Sequence, residues 1–229
     1  MDHYDVLIAT PGAKLEAQYV KSLIETLAVC AEKNITFKWL NGYSSLVHHA
    51  RELTASGGEG LELNPSHKGP MGDAVTYNKI FWIDSDIAWT PEHFFKLYDS
   101  ECDVISGAYL LADGVTTSVH AWGTPGGIAK EEIMAMKEVC HVQSIGFGFV
   151  AMRTGVFERM ERPWFAHESQ KVEREDGSFI TDSLGEDISW CVKAYKAGIP
   201  VFLDPSVLVT HMKQVAITWD QPKKYRQSL

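Results

Sequence analysis

Residues 79 to 89 read KIFWIDSDIAW, and the fold turns on how this stretch is understood. Ile80 to Ile83 form an unbroken apolar run, β-branched and aromatic. A short run of this kind reads as a buried strand. It leads straight into Asp84-Ser85-Asp86, with Pro91 soon after. Two carboxylates at the end of a buried strand are costly unless something positive sits between them. A divalent cation such as Mg2+ or Mn2+ suits carboxylate oxygens. A solvated loop that recruits two aspartates is the plain alternative.

Upstream, Val6 to Ala9 read as a first strand, bounded by Thr10-Pro11-Gly12. Val20, Leu23, Ile24, Leu27 and Ala31 then fall on one face of a helix. Ile35 to Leu40 read as a second strand, closed by Asn41-Gly42. Residues 44 to 55 look helical, with Leu46, Val47, Ala50 and Leu53 on one side. Strand, helix, strand, helix, strand predicts an α/β architecture with a largely parallel sheet. Residues 56 to 74 are rich in Gly, Pro and polar residues and read as a loop.

Downstream, Thr90 is a suitable N-cap and Pro91 a suitable first helical residue. Phe94, Phe95, Leu97 and Tyr98 give that helix an apolar side. Residues 103 to 111 read as a strand, 112 to 130 as irregular, and 131 to 137 as weakly helical. Residues 141 to 152 are strand-like but interrupted by Gly146 and Gly148. Interior glycines mark a bend, or the close approach of a ligand or another backbone. Residues 163 to 183 form a polar stretch that holds Trp164. Gly185-Glu186-Asp187 opens a helix whose apolar face is Ile188, Cys191, Val192 and Tyr195, closed by Gly198 and Pro200. Two short apolar runs around Asp204-Pro205 end at His211.

The bulk properties narrow the function. The net charge of −9 argues against broad nucleic-acid binding, while leaving room for a local basic pocket. No apolar run approaches the ~20 residues needed to span a bilayer. The N-terminal MDHYDVLIATPG lacks the basic and apolar segments of a secretory signal, so a soluble cytoplasmic protein is expected. Cys30, Cys102, Cys140 and Cys191 are too scattered for a zinc site or disulfide framework, so buried free thiols are expected.

Three features carry chemistry: Asp84 with Asp86, Glu186 with Asp187, and His211. Each lies at the end of an apolar run or the start of a helix, where open α/β folds gather their sites. Singly, Glu186 and Asp187 could merely complement a helix N-terminus, and His211 could be an ordinary histidine. Together they predict a metal held by Asp84, Asp86 and His211, with Asp187 as a base.

The order of these pieces resembles a GT-A glycosyltransferase, in particular the small soluble kind found in phage, large viruses and bacteria. The matching pieces are VLIATPG, FWIDSDIAWTP with its DxD triplet, GAYLL, IGFGFVAMRTGVFERM followed by RPWF, and GEDISWCVKAYKAGIPVFLDPSVLVTHM. The resemblance implies a single Rossmann-like domain over residues 1–229, mixed and mainly parallel, with helices flanking the sheet. Residues 1–111 would bind the nucleotide and residues 112–229 the acceptor. The activity implied is metal-dependent transfer from a nucleotide-diphosphate sugar, UDP-glucose or UDP-galactose by family weight, to a glycan, protein or small-molecule hydroxyl.

Residue by residue, the resemblance places Thr10, Pro11 and Gly12 beside the base or ribose. Arg51 would contact the nucleotide, or else be an ordinary surface arginine. Asp84, Ser85 and Asp86 would meet the ribose or a Mn2+ or Mg2+ ion, with Asp86 and His211 as the direct ligands. Asp187 would be the base of an inverting reaction, and Glu186 its neighbour. Gly146 and Gly148 would leave room for the donor sugar, and Trp164 would offer the acceptor a stacking face or else serve an ordinary core or surface role. Two other readings remain. A sugar-nucleotide or glycan-binding module of the same fold would keep the pocket without catalysis. A DxD phosphohydrolase would place its triplet nearer the N-terminus, with Thr or Val where Ala88 stands.

Overall fold

The structure is a computed structural model and describes residues 1–57, 69–123, 126–173 and 177–214. Parts of the expected loops, at 58–68, 124–125 and 174–176, lie outside the described residues. The chain opens as β1 (Asp2–Pro11), α1 (Ala17–Glu32), β2 (Phe37–Gly42), α2 (Val47–Ala55) and β3 (Val75–Ile83). After the acidic turn come β4 (Ile87–Ala88), α3 (Pro91–Asp99), β5 (Val104–Ala108), β6 (Val119–His120) and α4 (Lys130–Ala135). The glycine-interrupted stretch is three strands: β7 (Cys140–Val142), β8 (Ser144–Ile145) and β9 (Phe149–Arg153). The chain closes with β10 (Ser169–Glu173), β11 (Phe179–Ser183), α5 (Glu186–Lys196), β12 (Val201–Leu208) and β13 (Thr210–His211).

The main sheet has the order β2-β1-β3-β9-β5-β12-β7. β2, β1, β3, β5 and β12 point one way, while β9 and β7 run against them. This is the expected mixed, mainly parallel sheet with helices on its faces. β1 and β3 are buried on both sides, which is why their apolar runs are continuous rather than alternating. Leu7, Ala9, Ile80 and Trp82 point into a core with Phe157, Phe165 and Trp190. Val6, Ile8, Phe81 and Ile83 point into a second core with Tyr19, Phe94 and Leu97.

Helix α3 forms as its sequence predicts. Thr90 accepts from the backbone N–H of His93, and Pro91 occupies the first turn. Its other end is closed by the buried side chain of Lys79, whose ammonium donates to the carbonyls of Leu97, Tyr98 and Ser100.

The other helices differ from the expected faces because polar side chains are buried there. On α1, Tyr19, Ser22, Thr26 and Cys30 point inward, and Ile24 is exposed. Ser22 and Thr26 accept from the backbone and indole N–H groups of Trp89 at 3.0 and 2.9 Å. On α2, Ala50, Arg51, Glu52, Thr54 and Ala55 are buried, and Leu46 and Val47 are exposed. Glu52 accepts from the backbone N–H of Phe165 at 2.7 Å. On α5, Trp190, Cys191 and Ala194 face the core while Tyr195 is exposed. A buried polar group costs little once it is paired, so these faces were set by distant partners.

Other boundaries also shift. Residues 163 to 183 hold the β10–β11 hairpin, and 112 to 130 hold β6, paired with β8. The terminal apolar runs form one strand, β12, whose pairing with β5 shifts register across Asp204-Pro205-Ser206. Proline has no N–H to give to a ladder. Cys30 and Cys191 are buried thiols, pushed up to about 11 and about 12 by burial, but Cys102 and Cys140 are only partly covered. Among the described residues no helix is long and apolar enough to cross a membrane.

Candidate active site

The acidic turn is held from several sides. Asp84 donates its backbone N–H to Gly148 O (3.1 Å), and its carbonyl accepts from Ile87 N (3.0 Å). Ser85 O accepts from Glu16 N at 3.0 Å. Gly12 has φ +138°, and a Cβ there would lie 3.0 Å from Ser85 Oγ. The end of β1 therefore closes on the turn only because residue 12 is glycine.

Asp86 and His211 are brought together by the short ladder between β4 and β13, which sets His211 opposite Ile87. Met212 N donates to Asp86 O at 2.7 Å. His211 Nε2 then stands 3.2 Å from Asp86 Oδ2, and Lys213 Nζ stands 2.9 Å from the same oxygen. Burial alone would raise the Asp86 carboxyl, but hydrogen bonds from His211 and Lys213 outweigh it and hold it at about 2. The other His211 nitrogen, Nδ1, lies 2.9 Å from Leu110 O. A carbonyl can only accept, so Nδ1 carries a proton, and Nε2 is the nitrogen turned toward Asp86.

Arg51 is not a surface arginine. It is 2% exposed and lies between two acids. Its Nη1 is 3.0 Å from Asp84 Oδ1, its Nη2 3.2 Å from Asp84 Oδ2, and its Nε 3.2 Å from Glu186 Oε1. Its charge sits over the rings of Phe147 and Trp82, at 5.3 and 5.9 Å from their centroids. Burial opposes this charge, yet Asp84 and Glu186 hold it more firmly protonated than a free arginine. Burial raises the Asp84 carboxyl, and the Arg51 guanidinium pulls it back in part.

Asp187 shares the cluster. Its Oδ1 accepts from Ile188 N at 2.8 Å. Its carboxyl is raised by burial first and then by the charge of Glu186. Tyr109 packs beside it, with its hydroxyl accepting from Gly148 N at 3.2 Å and its ring 5.0 Å from that of His211. Asp84, Asp86, Glu186, Asp187, Arg51 and His211, six of the residues expected to form the site, thus gather at one end of the sheet.

The remaining expectations need correction. Asp84 is occupied by Arg51, and among the described residues no three His, Cys, Asp or Glu side chains converge on a metal position. Of the expected trio, only Asp86 and His211 face each other, at 3.2 Å. That pair fits a divalent cation in its chemistry, a carboxylate oxygen and an imidazole nitrogen. Its 3.2 Å separation is close to the ~3 Å between neighbouring ligands at about 2.1 Å from one ion. The Nδ1 contact to Leu110 O is the outer support that a ligating histidine needs.

Gly146 and Gly148 make room for Tyr109 rather than for a sugar. Cβ atoms there would lie 2.2 Å from its hydroxyl and 2.6 Å from its ring. Trp164 offers no stacking face, because it is fully buried and its Nε1 donates to Phe157 O at 3.2 Å. Thr10 is fully buried too, its hydroxyl shared between Tyr19 and Trp39 Nε1. Pro11 is also buried, and Gly12 is partly covered. The exposed groups beside them are Trp39 and Asn41, whose Nδ2 donates to Thr10 O (2.7 Å) and Gly12 O (2.9 Å).

The chain shares its fold with A197 from STIV. The TM-score is 0.55 at 16% identity, over 93% of this chain and 87% of that one. A second solved structure, GalNAc-T7 with UDP, GalNAc and Mn2+, matches with a TM-score of 0.46 at 11% identity. That match takes in 100% of this chain but 46% of GalNAc-T7, so the chain spans about half of its length. No protein-family model matches the chain, and no curated protein matches it in sequence.

Sequence reasoning missed Tyr109, Lys213, Trp39 and Asn41. Tyr109 lay inside the quoted GAYLL segment, but its approach to Gly146 and Gly148 is tertiary and left no local signal. It also missed the His48–His167 contact. His167 Nδ1 is 2.7 Å from Leu184 O and its Nε2 is 3.0 Å from His48 Nδ1. These histidines tie the start of α2 to the segment that leads into Glu186.

Proposed function

We propose that this protein is a GT-A glycosyltransferase that moves a sugar from a nucleotide-diphosphate donor to an acceptor hydroxyl, with inversion. The whole described chain would act as one domain, its first half binding the nucleotide and its second half the acceptor. The observation that carries the proposal is the meeting of two acidic pairs, Asp84/Asp86 and Glu186/Asp187, with Arg51 between them and His211 beside them.

In this reading Asp86 and His211 hold a divalent cation, Mn2+ before Mg2+ because one ligand is an imidazole. Such an ion, when bound, offsets the negative charge that grows on a departing diphosphate. The protein's own groups do the rest. Asp187 takes the proton of the acceptor hydroxyl, and its burial makes it a stronger base than an open carboxylate. Arg51 is paired with both Asp84 and Glu186, so neither is free to compete for that proton. Asp84 then acts as an anchor for Arg51 rather than as an inner ligand.

The test is a thermal-shift screen of nucleotide sugars with and without Mn2+, starting with UDP-glucose and UDP-galactose. Hydrolysis and transfer of any donor that binds would then be followed by mass spectrometry. The expected outcome is Mn2+-dependent stabilisation by at least one nucleotide sugar, followed by its turnover. Binding without turnover by any acceptor extract would favour the non-catalytic module. No binding of any nucleotide sugar would end both readings.

A further inference from the structure

One oxygen of Asp86 has two partners at once. Oδ2 lies 2.9 Å from Lys213 Nζ and 3.2 Å from His211 Nε2. The backbone fixes the meeting, since the β4–β13 ladder and the Met212 N to Asp86 O bond anchor the residues on either side of Met212. The two partners differ in what they can do when a cation arrives. An imidazole nitrogen can exchange its proton for a metal ion and become a ligand itself. An ammonium has three donors and no lone pair, so it can only leave.

We propose that Lys213 is a resident counter-ion of Asp86 which a divalent cation must displace, and that it thereby sets the cation affinity of the site. The inference rests on the Asp86–His211 metal reading given above. Until a cation binds, Lys213 offsets the Asp86 charge, and a free divalent ion meets a site already neutralised. Loading the ion releases the ammonium next to it. The side chain of Lys213 is 45% exposed, so it can swing into solvent without disturbing the core. The released charge would then favour an anion arriving beside the cation.

The experiment is Mn2+ binding to the nucleotide-free protein, read by electron paramagnetic resonance, for wild type, Lys213→Met, Lys213→Arg and Asp86→Asn. A second readout is the rate of reductive methylation at Lys213, located by mass spectrometry, with and without saturating Mg2+. Lys213→Met should bind Mn2+ roughly fivefold more tightly than wild type, about the worth of one half-exposed ion pair. Lys213→Arg, which keeps the charge, should stay near wild type. Methylation of Lys213 should speed up when Mg2+ is present. Measuring the affinities again in high salt separates contact from distant attraction, because distant charges are screened there.

If Asp86→Asn abolishes Mn2+ binding but Lys213→Met binds no tighter than wild type, the counter-ion role is overturned and the metal reading survives. A methylation rate indifferent to Mg2+ would overturn it as well. If wild type and Lys213→Met both fail to bind Mn2+, the metal reading falls and takes the inference with it.

Discussion

The Arg51 guanidinium turns both Nη atoms to the Asp84 carboxylate: Nη2 donates to Oδ2 at 3.2 Å, and Nη1 lies 3.0 Å from Oδ1. Its third nitrogen reaches Glu186, so one buried cation joins the acidic turn after β3 to the start of α5. Removing that cation leaves two carboxylates facing each other with little water. Arg51→Met should therefore lower stability by about 3 kcal/mol, as breaking a buried ion pair does. Urea unfolding measures this, and a loss no larger than that of a surface substitution would show that the pair is not what holds the ends together. Arg51→Lys keeps the charge but not the fork, and should fall between the two.

The division of labour between the aspartates can be tested separately. Asp86→Asn and His211→Ala should each abolish Mn2+-dependent nucleotide binding, measured by calorimetry with and without Mn2+. Asp84→Asn should keep it and lose stability instead, because its partner is Arg51. Equal losses from Asp84→Asn and Asp86→Asn would restore Asp84 as a ligand.

Asp187→Asn should retain donor affinity while turnover falls by roughly 10²–10⁴-fold, the usual worth of a positioned base. Near-normal turnover would mean that another group takes the proton. The pH dependence follows from the raised carboxyl. A base must be ionised, so the acid limb of kcat should lie above the ordinary carboxylate range. Stability carries the opposite sign. The folded protein holds this proton more tightly than the unfolded chain, so stability is lost as pH rises from the unfolded value through the folded one. Asp187→Asn should thus melt higher than wild type at neutral pH, and the gain should vanish below about pH 4. The same substitution would cost activity and add stability.

Gly146 and Gly148 should tolerate no larger residue while Tyr109 is present. Gly146→Ala would set a Cβ 2.2 Å from the Tyr109 hydroxyl, and Gly148→Ala one 2.6 Å from its ring. Each should cost about 1–3 kcal/mol, as overpacking does. Pairing either with Tyr109→Ala should recover part of the loss relative to Tyr109→Ala alone. If the glycine variants melt like wild type, the ring is free to move and the space could serve a ligand.

The helices show how far local pattern reaches. The signals for α3 are all local: Thr90, Pro91 and an apolar stripe, with the cap formed between Thr90 and His93. For α1 and α2 the same counting chose Val20, Ile24, Leu46 and Val47, all of which are exposed. The true inner faces carry Ser22, Thr26, Arg51 and Glu52, whose partners lie in other elements. Hydrophobic periodicity cannot register a polar residue that is buried because it is paired.

The sequence by itself determined the two strands buried on both faces, the mixed α/β class, and the acidic turn, the acidic helix start and the histidine as the groups worth watching. Continuous apolar runs and helix caps are local physics, and they survive any reading of the rest. Only the tertiary structure decided who pairs with whom. Arg51 meets Glu186 across 135 residues and Lys213 meets Asp86 across 127, because the sheet order and the β4–β13 ladder bring those ends together. Ion pairing depends on distance in space and on excluded water, and neither is written in the spacing of residues along the chain.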